Sequence, residues 1–479
     1  MNARPTLVSI LLVLFSIGFI AGCSDDDDDN MNNPVIPAPQ NAYEVASSLD
    51  DYSILVAAVD KAGLAGALQD PNATLTIFAP DNDAFVALLG AIGATSLDDL
   101  SAEQLAPILL YHVIGTEIDA VAATAAATAG DRVTGLGGTI QLGLSGNSIQ
   151  LDGSALVEVP NVEASNGIIH GISAVILPSI TDVVVSDPSF SSLATALTVA
   201  DSDMSQPNLV GTLDNDGGTF TVFAPTNAAC AGLVGALSAS SSTGITGLAD
   251  FASYQLIPVL KYHVVAGAAV MSTQVSDGPV GTLGGNVDAM VGGGVMLDGA
   301  MVTTADILTS NGVIHVIDGV LIPSITDVVT TAPEFSSLAG AIVATDSEGG
   351  TSPKVAPALD AAAASGAYTL FAPNNQAFAD LGAVAPGQFL TDVLLYHVIN
   401  LDNAVYAADA LALGSPTEFS TLYADPDFGK VTVSNMGNPA SSVLVEDTGT
   451  AAEANVTYAN YFTSNGVIHV IDKVLLFDD

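Results

Sequence analysis

Three short patterns each occur three times along the chain, in the same order, and this internal repetition limits the fold more than any other feature. Thr-x-Phe-Ala-Pro places Thr76, Phe78 and Pro80, then Thr221, Phe223 and Pro225, then Thr369, Phe371 and Pro373. Tyr-His-Val follows at Tyr111, His112 and Val113, at Tyr262, His263 and Val264, and at Tyr396, His397 and Val398. Ser-Asn-Gly-(Ile/Val)-Ile-His closes each copy and ends on His170, His315 and His469. All 6 histidines therefore fall inside the repeat, two per copy. A chain of 479 residues, at roughly 150 per domain, accommodates three such units.

Each copy is expected to be α+β, with helices first and a β-rich second half. Phe190, Leu193 and Leu197 recur at helical spacing behind Asp187-Pro188, an N-cap followed by a first-turn proline. Tyr52, Leu55 and Val59, and Phe335, Leu338 and Ile342, repeat that spacing. A strand then runs into Phe-Ala-Pro, where Pro80, Pro225 and Pro373 are expected to end the ladder. Asp81 can cap a second helix carrying Phe85. Beyond Tyr-His the pattern turns to β-branched runs broken by glycine, and Asn166-Gly167 signals a turn before the last strand. The expected units are residues 42–179, 180–324 and 325–479, joined without Gly/Ser-rich linkers. Cys230 stands where the other copies have Phe85 and Phe378, so the neighbours in copy two must repack. Copy three carries a longer interval, about residues 422–456, where a copy-specific surface is expected.

Ahead of the repeat lies an uncharged apolar stretch, residues 7–21, after Arg4. About 15 residues is short for a spanning helix and suits a signal-peptide core. It ends Ile20-Ala21-Gly22-Cys23, which resembles a bacterial lipobox, so residues 1–22 read as a lipoprotein signal peptide and Cys23 as the lipidation site. Several acyl chains are needed for lasting attachment. Residues 23–41 then form an acidic, proline-stiffened tether that begins Ser24 and Asp25 to Asp29. The pattern resembles outer-membrane sorting of a lipoprotein, with surface exposure as a further expectation.

The joint motifs Thr-x-Phe-Ala-Pro-x-Asn-x-Ala-Phe, Tyr-His and Ser-Asn-Gly-x-Ile-His-x-Ile-Asp resemble the fasciclin-like domain. The resemblance implies three tandem domains, each a wedge-shaped β-sandwich with packed N-terminal helices, in an extracellular adhesion protein that contacts cell-surface or matrix proteins or polysaccharides. It also implies partner contact around Tyr-His. Those positions are Leu110, Tyr111, His112 and Val113; Leu260, Tyr262, His263 and Val264; and Leu395, Tyr396, His397 and Val398.

Charge and composition test the remaining classes. Acids outnumber bases 51 to 7, the net charge is −44, and the bases are scattered singly, so nucleic-acid binding is excluded. Self-repulsion on this scale points to a saline habitat, with thermal midpoints that rise as NaCl screens it. Mean hydropathy of +0.51 supplies ample core. Histidine is the natural acid–base candidate. In the strand around His315, however, alternation turns Asp318 to the opposite face, so no dyad forms within the strand. His170, His315 and His469 are therefore expected to be hydrogen-bonded scaffold, and His112 likewise. Two histidines per copy and a lone thiol give no transition-metal set; a divalent cation has no motif behind it, and Asp214 to Gly218 fails the EF-hand spacing. Cys230 reads as an inert buried thiol. No cofactor and no enzymatic activity are expected. A binding protein for a small apolar ligand, seated between sheets or at module junctions, is the alternative to adhesion.

Overall fold

The computed structural model describes residues 39–477 except 203–207, 215–216, 241–244, 348–353, 361–366, 383–387, 402–404, 406–408, 411, 414, 424–428, 436–442 and 448–452. The signal segment, Cys23 and nearly all of the tether lie outside the described residues, as do Asn215 and Asp216.

Each module is built on one seven-stranded sheet. In the first, β1 (Leu75–Pro80), β2 (Val113–Ile114), β3 (Arg132–Thr134), β4 (Thr139–Ser145), β5 (Ser148–Leu151), β6 (Ala155–Ala164) and β7 (Gly167–Ile172) run in the order β2-β1-β7-β6-β5-β4-β3. The second repeats this with β8 (Phe220–Pro225), β9 (Val264–Ala266), β10 (Gly278–Thr282), β11 (Gly285–Val291), β12 (Val295–Leu297), β13 (Ala300–Thr309) and β14 (Gly312–Ile317). The third repeats it with β15 (Ala367–Pro373), β16 (Val398–Leu401), β17 (Thr417–Ser420), β18 (Lys430–Asn435), β19 (Val443–Asp447), β20 (Glu453–Thr463) and β21 (Gly466–Ile471). Helices do come first, but the strand between them does not stay with them. β1 inserts between the edge strand β2 and β7, parallel to β7, while the neighbouring pairs are antiparallel.

Burial explains the insertion. β1 and β7 are buried at every position, and apart from Thr76 and His170 both are apolar, as doubly covered strands are. Leu75, Ile77 and Ala79 pack with Leu55, Val59, Phe85 and Leu105 of the helices. Phe78, one position out of phase, packs with Ile140 and Leu142 of β4 and Leu151 of β5. β1 and β7 thus lie between a helical layer and the β-rich half. Glycine 167 is required by this arrangement, because a Cβ there would stand 2.0 Å from the Leu75 carbonyl oxygen on β1. Gly312 and Gly466 meet the same obstacle at 1.9 and 2.1 Å.

Local signals place the helices. Asp81 caps the helix Asn82–Ile92 by accepting from the Ala84 N–H at 2.8 Å, and Gly93 ends it at φ 74°. Pro80, Pro225 and Pro373 are the last registered residues of their strands. One element escapes the sequence pattern: the first module adds a helix Ala120–Ala129, capped by Asp119 and ended by Gly130, where the second has only a single turn, Ser272–Gln274. In the third module the described part of the long interval supplies β18 and β19. Their Val431, Val433, Val443 and Val445 enter the core, while the connecting residues fall outside the described set.

The expected repacking around Cys230 does not close the site. Cys230 lines an open groove of about 640 Å³ between the helices Ser191–Ala200 and Asn227–Ser240. The smaller side chain stands where Phe85 fills the corresponding place in the first module.

Candidate functional site

The repeated residues converge on one buried polar frame in each module. His112, which caps the helix Ala102–Tyr111, donates from Nδ1 to the Ile108 carbonyl at 2.7 Å and accepts at Nε2 from the Ile176 N–H at 3.1 Å. His263 makes the same pair with Val259 and Leu321, and His397 with Val393 and Leu475. The strand histidines use the other tautomer. His170 donates from Nε2 to Ile118 O at 2.8 Å and accepts at Nδ1 from Asn161 N; His315 and His469 do so with Val270 and Asp306, and with Val405 and Asn460. The ring of each strand histidine also stacks on the phenylalanine beside it: Phe78, Phe223 or Phe371, with centroids 5.7–5.9 Å apart.

Threonine and asparagine complete the frame. Thr76 Oγ1 donates to Thr116 O and accepts from Ile118 N, both at 2.7 Å, so Thr76 and His170 hold the same connecting loop. Thr221 repeats this with Ala268 and Val270. Asn166, read from sequence as a turn residue, is a buried clamp. Its Oδ1 accepts from Ala42 N at the first helix, and its Nδ2 donates to Leu68 O and Asp70 O. Asn311 and Asn465 clamp Ile180 and Ile325 in the same way.

Burial keeps these imidazoles neutral. Desolvation lowers His112, His263 and His469 to about 4, and lowers His170 and His315 as well. Asp306 does lie near His315, with Oδ1 3.8 Å from Nδ1. That nitrogen already accepts the Asp306 N–H, and the carboxylate takes the Ser272 N–H and hydroxyl. Asp318 accepts from Met301 N instead, a bond that the Ser173 hydroxyl accepts in the first module. A cavity of about 120 Å³ reaches His315, Thr221 and Asp277, yet it meets an imidazole whose two nitrogens are both engaged.

The anticipated contact positions lie mostly inside. Tyr111, His112 and Val113, Leu260, Tyr262, His263 and Val264, and Leu395, Tyr396, His397 and Val398 are all buried; Leu110 is half-buried. Tyr111 and Tyr262 donate their hydroxyls to Asp152 and Asp298, whereas Tyr396 donates to the Lys430 carbonyl. Cys230 is buried, and desolvation pushes its thiol up to about 11.

Contacts between modules are built from residues that the sequence reading passed over. Gln104 accepts the Ser101 N–H at its own helix start and donates Nε2–H to Ala305 O at 2.9 Å and Asp306 O at 3.2 Å, on β13 of the next module. Gln255 caps Ala252 and donates to Asn460 O and Ala459 O on β20, joined by the Tyr254 hydroxyl. Asp182 adds a strap, with Oδ2 capping the helix Ile180–Ser186 and Oδ1 accepting from Thr139 N of the first module. The available signal was comparison between copies: seven residues before Tyr-His stand Gln, Gln and Phe389.

An apolar cavity of about 60 Å³ sits under the first helices, lined by Leu55, Val59, Leu109 and Ile169, and its counterpart in the second module is about 20 Å³. An apolar cavity of about 150 Å³ is what holds benzene. Among the described residues no group of three or more His, Cys, Asp or Glu is placed to hold a metal ion. No single described helix is long and apolar enough to cross a membrane.

The family model for the Fasciclin domain matches residues 50–178, 188–323 and 350–477, well over half of the chain. The chain belongs to the fasciclin-domain family. Its three fasciclin domains each carry the α+β arrangement described above. Protein sll1483 of Synechocystis is 36% identical over 136 residues, which is 28% of this chain and 72% of that protein. The transforming growth factor-beta-induced protein ig-h3 of Sus scrofa is 24% identical over 446 residues, 91% of this chain but 57% of its own length. The cell surface glycolipoprotein MPB83 of Mycobacterium bovis is 36% identical over 118 residues, 24% of this chain and 48% of that protein.

Proposed function

We propose that this fasciclin-domain protein is a non-enzymatic adhesion lipoprotein of a bacterial envelope, anchored through Cys23 to the outer membrane. It presents three modules to a cell-surface or matrix protein or a polysaccharide. The observation that carries the reading is the tandem array itself, with every histidine committed on both nitrogens to main-chain partners. A catalytic imidazole needs one nitrogen available for the proton it moves. Relatives that include a cell surface glycolipoprotein support the placement.

Multivalency is the physical advantage of such an array. A second weak contact made by the same chain acts at high effective concentration, raising avidity ~100-fold or more without any tighter single site. Partner contact near Tyr-His runs through half-buried Leu110 and the surfaces that these buried segments hold in place. Apolar-ligand binding is the weaker reading, because the two apolar cavities beneath the helices, of about 60 and 20 Å³, are smaller than a benzene site.

Deleting one module at a time, with the anchor retained, tests the proposal. Removal of the second is chemically tolerable, since Gln104 would then face the Ala459 and Asn460 carbonyls in place of Ala305 and Asp306. Attachment of cells to protein- and polysaccharide-coated surfaces should fall at least tenfold per deletion, and Cys23→Ser should release the protein from the membrane fraction. Undiminished attachment of all single-module deletions overturns the multivalent reading.

A further inference from the structure

The long strand of every module carries the same left-handed bulge, at Asn161 (φ 57°), Asp306 (φ 61°) and Asn460 (φ 61°). In the second and third modules the bulge is a seat. The carbonyls of residues 305 and 306, and of 459 and 460, accept the glutamine of the preceding helix. Aromatic contacts close the second of these seats, with Tyr254 against Tyr458 at 5.1 Å and Phe251 edge-on to Phe462 at 5.4 Å. In the first module the corresponding strand positions are open. Its Pro160 and Asn161 are exposed, and Val159, the counterpart of Tyr458, is 47% exposed.

Chemistry at the open seat differs in one telling way. Where Phe462 enters the core of the preceding module, the first module has an exposed Glu163, and Glu158 lies further along the same strand. The seat therefore offers paired carbonyl acceptors, an apolar Val159 and a carboxylate. A neutral amide suits the covered seats; a cationic side chain with several N–H donors suits this one, because it can bond the carbonyls and pair with Glu163 together.

We propose that the β6 bulge of the first module, Val159 to Glu163, is a docking site for an arginine-bearing basic segment of another protein. A second copy of this chain is a poor occupant. It carries −44 of like charge and only two arginines, Arg4 and Arg132. The inference stands apart from the adhesion reading, since peptide binding and cell attachment are measured separately.

The test uses the full chain and two synthetic peptides of the 247–264 sequence, one unaltered and one with Gln255→Arg, followed by NMR amide shifts and fluorescence anisotropy at low salt. The Gln255→Arg peptide should bind at least tenfold more tightly, shift amides 159–163, and lose that advantage against the Glu163→Gln chain. A scrambled peptide of equal charge that binds equally well overturns the proposal, as does binding indifferent to Glu163→Gln. Sedimentation showing the seat already filled by self-association overturns it too.

Discussion

Seven residues after the strand phenylalanine, the first module seats Phe85 in its helical core, 1% exposed, whereas the second places Cys230 on a groove of about 640 Å³. At the histidines the same two modules agree bond for bond: His112 and His263 cap equivalent helices, and His170 and His315 hold equivalent loops. The difference between these regions is one of penalty. Removing an apolar side chain next to solvent loses packing, and the gap can open to water. Removing a buried imidazole strands two main-chain groups at once, each costing about 1–3 kcal/mol. Variation has accumulated in the first kind of position and not in the second.

The sharpest way to break that comparison is at His263. Replacing it by leucine, His263→Leu, keeps the volume but leaves Val259 O and Leu321 N without their side-chain partner. Module two should lose roughly 3 kcal/mol at pH 7.5, read from urea unfolding. The loss depends on pH in a direction set by burial. The folded-state value of His263 is depressed to about 4, below its ordinary 6.5. The unfolded chain therefore takes up a proton as pH falls below 6.5, and the folded chain resists until about 4. Across that window the native protein loses about 1.4 kcal/mol per pH unit through this group, while the leucine variant loses none. The gap between the two should shrink steadily from pH 6.5 to 4 and nearly close. A constant gap would show that the imidazole is charged inside the fold.

The same distinction explains what could be read in advance. Repeat number, helix caps such as Asp81, and the hydrogen bonding of His170 and His315 were legible, because caps, strand alternation and hydrogen-bonding demand are local properties. The placement of β1 beside β7 was not. Leu75 and Gly167 sit far apart in sequence, and a parallel pair between two fully buried, mostly apolar strands leaves no local mark that names its partner. The helix Ala120–Ala129 was hidden by composition, since a run of alanine and threonine has no apolar stripe to reveal its period. Gln104 and Gln255 look like ordinary surface residues until the copies are aligned. Each does two things with one amide: the oxygen caps its own helix and the nitrogen grips the next module.

The contrast between Phe85 and Cys230 can also be exchanged. Phe85→Cys removes a ring buried among Leu55, Leu89 and Leu105, and the first module should lose about 3 kcal/mol, as buried aromatic truncations do. The reverse change, Cys230→Phe, should do less, because the groove is open on one side and only part of a new ring leaves water. Full burial of a phenyl group stabilises by about 1.5–3 kcal/mol, so a gain near 1 kcal/mol is expected, seen as a higher thermal midpoint for the second module. The unequal pair is the informative outcome. Equal and opposite shifts would mean that the second module still holds a ring-shaped vacancy in a closed core. A loss on Cys230→Phe would mean that the helices Ser191–Ala200 and Asn227–Ser240 have adjusted to the smaller residue and now resist the larger one.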